Sequence, residues 1–126
     1  MSALDEARGH LTKAREFLDA AELSSDLDLR NAATSDAVIS AINAKDAICL
    51  ALTGRTSKSD NHSQAVEELR RSGVAGAAQA TTLSRLLMLK TRSQYMSASV
   101  SAADMKKSVE WAHRLLAAAE AVVSDR

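Results

Sequence analysis

Residues 31–54, NAATSDAVISAINAKDAICLALTG, decide the fold. Ala37, Ala41, Ala44, Ile48 and Ala51 recur at steps of three and four, the period of one helix face. Val38, Ile42, Cys49 and Leu52 form a second stripe beside the first. Together the stripes cover about half the helix circumference at 100° per residue, so the spacing predicts a central helix from Asn31 to Thr53 with neighbours on two sides. Gly54 follows as a C-terminal stop. Most of the apolar positions are alanine, the best helix former, and small side chains let helices approach closely.

The segment before it opens on Ser2, an N-cap, with Asp5 and Glu6 in the first turn. Leu4, Ala7, Leu11, Ala14, Leu18 and Ala21 then form an amphipathic stripe ending near Leu23, and SSDLD is a short connection. Downstream, GRTSKSDN is a polar loop, Ser63 to Arg71 a short helix, and SGVAG its end. A fourth helix is expected from Ala77 to Ser93, with Ala80, Leu83, Leu86 and Leu87 inward. Ser101 and Asp104 resemble a capping box for a last helix, whose stripe of Met105, Val109, Ala112, Leu116, Ala119 and Val123 ends near Ser124.

The expected architecture is all-α: one domain of residues 1–126, an antiparallel four-helix bundle with a short fifth helix in the middle crossover, more than about two-thirds helical and without a sheet. The chain has no proline, and aromatics make up 2% of it, where a β-rich domain needs many more. At 126 residues it buries enough surface to need no metal or disulfide staple. The single cysteine, Cys49, lies in an apolar run and behaves as a small hydrophobe. No apolar stretch can span a bilayer and the N-terminus has no signal-peptide core, so the cytoplasm is the expected location.

Formal net charge is zero, which gives no general attraction to nucleic acid. The first thirty residues lean acidic and the later half basic, through residues such as Arg70, Arg85, Lys90, Arg92 and Lys106; solvated helix faces explain this, as would a basic patch. No phosphate-cradling glycine loop is present, His10, His62 and His113 lack zinc-ligand spacing, and no metal or cofactor is expected. His113, without a partner motif, is a surface or boundary side chain. Lys45 stands inside the apolar arc of the second helix, where a lysine either snorkels to water or faces a partner anion. Arg85 and Arg92, two turns apart on the expected fourth helix, share a face that would suit phosphate oxygens as well as plain solvation.

Four stretches in this order resemble the HEPN domain, a family named for nucleotide binding in prokaryotes and higher eukaryotes. They are AREFLDAA from Ala14, SDAVISAINAKDAICLAL from Ser35 with Lys45 as its basic residue, TGRTSKSDNHSQAV after it, and KTRSQY with Arg92 and Tyr95. The resemblance covers nearly the whole chain. It implies a four- or five-helix bundle, often a homodimer, and a place among ribonucleases, toxin–antitoxin components, partners of minimal nucleotidyltransferases, or nucleotide binders that do not cut RNA. The family's nuclease branch carries R-x(4–6)-H near its final helices, where histidine serves as acid or base and arginine stabilises the added charge. This chain departs there: Ser97, Ala98 and Ser99 stand where the histidine after Arg92 belongs. The only matching spacing is Arg55 to His62, in the loop after the second helix.

The resulting expectation is a non-catalytic HEPN-like binding protein of a toxin–antitoxin or defence system, taking a nucleotide, RNA or a protein partner through Arg92, Tyr95, Lys45 and Arg85. The rivals are a metal-independent ribonuclease using Arg55 and His62, and an unrelated helical adaptor. A homodimer is expected, because Met88, Leu89, Trp111 and Leu115 lie beside the main stripes of the last two long helices and two-fold pairing covers such a patch. Arg92 and Tyr95 would then lie near the cleft between subunits.

Overall fold

The computed structural model describes residues 1–58 and 61–126, so Ser59 and Asp60 of the polar loop lie outside the described residues. Seven helices follow one another among them: α1 (Ala3–Asp26), α2 (Arg30–Thr53), α3 (His62–Arg71), α4 (Val74–Ala77), α5 (Ala80–Met88), α6 (Lys90–Gln94) and α7 (Ala102–Ser124). Helix accounts for 80% of the structure and no strand is present among the described residues, as the periodicities require.

Ser2 starts α1 with a reciprocal capping box: its hydroxyl accepts from the Asp5 amide at 3.0 Å, and the Asp5 carboxylate accepts from the Ser2 amide at 3.2 Å. The expected stripe is the buried one, from Ala7 through Leu11, Ala14 and Leu18 to Ala21. The helix runs a turn past Leu23, because the reversal needs only residues 27–29. Asp28 makes it with a φ of 56°, a left-handed conformation that aspartate tolerates, and Arg30 clamps its carboxylate at 2.9 and 3.3 Å. The short connection makes α1 and α2 an antiparallel pair.

α2 is the central helix. It packs against α1, α7, α6, α5 and α3, and its buried residues go all the way round it, Ser40 and Asp46 included. Alanines allow the close approach to α1, where the Ser40 hydroxyl reaches the Ala14 carbonyl at 2.7 Å. Gly54 ends the helix with a φ of 77° and returns its amide to the Leu50 carbonyl at 2.9 Å. One core cluster draws on α1, α2, α3, α5 and α7. At the opposite end of the bundle Asn31 ties down the strap before α7, accepting from the Val100 amide at 3.0 Å. Ser101 caps α7 as expected, accepting from the Asp104 amide.

The fourth helix differs from expectation. In place of one rod from Ala77 to Ser93 there are two pieces, α5 and α6, preceded by the short α4 that ends at Ala77. At the two joints the backbone closes tighter three-residue bonds, Gln79 to the Gly76 carbonyl and Leu89 to the Leu86 carbonyl, both 3.0 Å. On either side of the break at Leu89, α5 buries Leu83, Leu86 and Leu87 while α6 packs on α2. Arg85 and Arg92 consequently belong to different helices rather than to one straight face. The corner before α5 is built on glycine: Gly73 has a φ of 142°, and a Cβ on Gly76 would come within 2.6 Å of the Leu69 carbonyl oxygen.

The expected exposed patch on the last helices is smaller than drawn. Leu115 is fully buried in the monomer's own core, and Trp111 is half-buried against it. Met88, at 77% exposure, and half-buried Leu89 are what remain of the patch on the α5 side.

Candidate functional site

Lys45 does not snorkel. It is 2% exposed, and its ammonium lies 3.2 Å from Asp46 Oδ1, 3.0 Å from Thr56 Oγ1 and 2.5 Å from Glu68 Oε1. An ammonium has three donors, and here all three meet acceptors of the same chain. The anions it faces are therefore its own neighbours on α2 and α3. Thr56 passes its single hydroxyl hydrogen to Asp46 Oδ1 at 2.5 Å, and the Ser57 amide donates to Glu68 Oε1 at 2.8 Å. The network thus staples the loop after α2 to both helices. No buried side-chain nitrogen or oxygen among the described residues is left without a partner.

The charges sustain one another. Burial alone would push the Lys45 ammonium down, but its hydrogen bond to Glu68 and the charge of Asp46 outweigh that and hold Lys45 above its usual value. Burial likewise opposes the Glu68 carboxylate, yet Lys45, the Ser57 amide and Thr56 together hold it below the usual glutamate range. A carboxyl group lowered in the folded state stabilises the fold above its unfolded value and loses that contribution as pH falls through the folded one. Wild-type protein should therefore lose urea resistance between about pH 6 and pH 3 more steeply than Glu68→Gln, measured as unfolding midpoints across that range. Parallel curves would mean that Glu68 is not held by Lys45. Cys49, one turn on from Lys45, is pushed up to about 11 by burial, which leaves it a protonated, unreactive thiol at neutral pH.

A second chain of bonds starts on α1. The Asn43 amide nitrogen donates to the Ile39 carbonyl at 3.0 Å, which turns Asn43 Oδ1 towards His10 Nδ1, 2.9 Å away. In the neutral ring Nδ1 therefore carries the hydrogen. The lone pair of Nε2 accepts from the Lys58 ammonium at 2.8 Å. Asp46 Oδ2 lies 3.8 Å from Nδ1 and flanks the ring.

These groups border a cavity of about 220 Å³. Its walls come from α1 (His10), α2 (Lys45, Asp46), the loop (Lys58), α3 (His62) and the start of α6 (Lys90), and Ile42, Ala65 and Leu87 supply the apolar lining. Among the described residues that line it, three lysines stand against one carboxylate; Lys45 is already matched by Asp46 and Glu68, so Lys58 and Lys90 supply the surplus. A shallower cavity of about 590 Å³ lies across the Lys45 network, where Arg55 and Arg71 are matched by Glu67 and Glu68. The smaller cavity therefore carries the cationic surplus.

Of the residues expected from sequence, Lys45 is in this cluster and His62 lines the smaller cavity. Arg55 lines the larger one, so the two members of the Arg55–His62 pair stand on the walls of different cavities. Arg85, Arg92 and Tyr95 are exposed and do not line the lysine cavity. His113 is a surface side chain paired with Glu22. Sequence reasoning missed His10, Lys58, Lys90, Asp46, Thr56 and Glu68. His10 had a signal: it follows Ala7 by three and precedes Ala14 by four, on the edge of the buried stripe. No group of metal-binding side chains large enough to hold an ion occurs among the described residues, and no helix is long and apolar enough to cross a membrane. No family model and no curated protein matches this chain.

Proposed function

We propose that this chain is a HEPN-like helical binding protein that recognises a phosphate-bearing ligand, a nucleotide or RNA, without cutting it. It works in the cytoplasm as one component of a toxin–antitoxin or defence system, beside a nucleotidyltransferase or toxin partner. The observation that carries the reading is the small cavity with a surplus of lysine charge, set on a wall that the buried Lys45–Asp46–Glu68 network holds rigid. Rigid cationic groups recognise phosphate without paying to reorganise. Order along the chain supports the family: the bundle, the basic residue in the second helix and the glycine-ended loop come in the expected sequence. Pairing of two copies through Met88, Leu89 and Trp111 remains part of the proposal.

Ribonuclease chemistry is disfavoured because proton transfer needs a base within hydrogen-bond reach of the attacking hydroxyl, and a partner to stabilise the phosphorane. Arg55 and His62 line separate cavities, and the residues following Arg92 offer serine and alanine. Purified protein should shift the fluorescence anisotropy of a labelled RNA while leaving it intact, and His62→Ala should leave its cleavage at the same background. Cleavage abolished by that substitution would replace this reading with the nuclease one.

A further inference from the structure

We infer that the lysine-lined cavity is built for a terminal phosphate, the monoester end of a mononucleotide or of an RNA strand, in preference to an internal phosphodiester. This rests on the reading above and narrows its ligand.

Shape makes the first argument. An internal diester arrives with strand on both sides and needs a groove open at two ends. This cavity is walled by five helices and a loop, and at about 220 Å³ it is smaller than the usual site for a whole drug-sized ligand. It suits a chain end and part of its sugar, with Ile42 and Leu87 against the sugar carbons.

Charge makes the second. A phosphate monoester carries close to two negative charges at neutral pH, a diester one. Lys90 lines the cavity, and no hydrogen bond or ion pair engages its ammonium among the described residues. Lys58 is held, but by a neutral acceptor, His10 Nε2, and not by a carboxylate. The bond fixes the ammonium in place while leaving its charge uncancelled. His10 is thus a positioning residue, oriented by Asn43. Lys45 contributes little directly, its donors being spent on Asp46, Thr56 and Glu68. Asp46 repels an anion and confines it to the side of Lys58 and Lys90.

Among the described residues no phenylalanine, tyrosine or tryptophan lines the cavity, so a base meets at most the small imidazole rings of His10 and His62 and the site discriminates little between bases. Adenosine 5′-monophosphate and uridine 5′-monophosphate should bind alike.

Calorimetry on the intact chain tests this with five probes: adenosine 5′-monophosphate, adenosine, the dinucleoside monophosphate ApA with hydroxyl ends, and a short RNA with and without a 5′-phosphate. The monophosphate and the 5′-phosphorylated RNA should bind at least about tenfold tighter than ApA and the hydroxyl-ended RNA, as expected for one added charge-assisted contact. Whichever of the two phosphorylated probes binds tighter identifies the source. Lys58→Met and Lys90→Met, both at accessible positions, should each weaken the monophosphate about tenfold. His10→Phe removes the acceptor and should weaken it too, while His10→Gln, which keeps an acceptor, should restore most of the affinity. Equal binding of ApA and the monophosphate would overturn the inference and leave phosphate recognition standing. Undiminished binding by the Lys58→Met/Lys90→Met double variant would overturn the site. Absence of binding by every probe would remove the functional reading itself.

Discussion

Lys45→Ala should cost about 3–5 kcal/mol of folding stability, because it strands two carboxylates that the native fold holds against an ammonium. Asp46 is 5% exposed, and its Oδ1 would keep only the Thr56 hydroxyl. Glu68 would keep the Ser57 amide but lose its cation. The damage should spread along the loop after α2, since Thr56 and the Ser57 amide are tied to α2 and α3 through this network. Urea unfolding at neutral pH measures the loss. A cost under about 1 kcal/mol would place Lys45 with ordinary surface ion pairs and deny the network its stapling role.

Leu86→Ala should cost about 3 kcal/mol, within the range for large-to-small changes in a close-packed core. Leu86 is fully buried on α5, a helix from Ala80 to Met88 that is too short to hold itself in water and depends on Leu83, Leu86 and Leu87 for its place. The effect should reach the site. Leu87 lines the lysine cavity and Lys90 begins the next helix, so loosening α5 should weaken phosphate binding even though Leu86 does not line that cavity. Unfolding curves and calorimetry on the same variant check both parts. Full stability would show that α5 tolerates a void; full affinity in a destabilised variant would show that Lys90 does not depend on α5.

The fold was largely legible because the decisive signals are local. Alanine and leucine stripes at helical spacing mark the buried faces of α1, α2 and α7, Ser2 and Ser101 mark starts, and Gly54 marks a stop. The break at Leu89 carries no such mark. No glycine or proline interrupts the stretch, and the stripe from Ala80 to Leu87 reads the same whether the helix continues or bends; packing of α6 on α2 decides it. Leu115 was misassigned because helical periodicity cannot say how wide a buried face is until the neighbouring helix is known.

The site was legible in two residues, Lys45 and His62. A lysine in an apolar arc demands a counter-charge, but sixteen acidic residues offer one, and only the fold brings Glu68 back to it. Lys58 reads as any solvated lysine of a polar loop. Its meaning depends on His10, some four dozen residues away in sequence, which the packing of α1 on α2 places beside the loop.

Backbone amide chemical shifts of isotopically labelled protein, followed through a titration with adenosine 5′-monophosphate, test the location of the site most directly. The largest changes should fall on His10, Ser57, Lys58, His62 and Lys90, which border one cavity from three helices and a loop. Changes centred on Arg92 and Tyr95, with these five left unmoved, would contradict that placement.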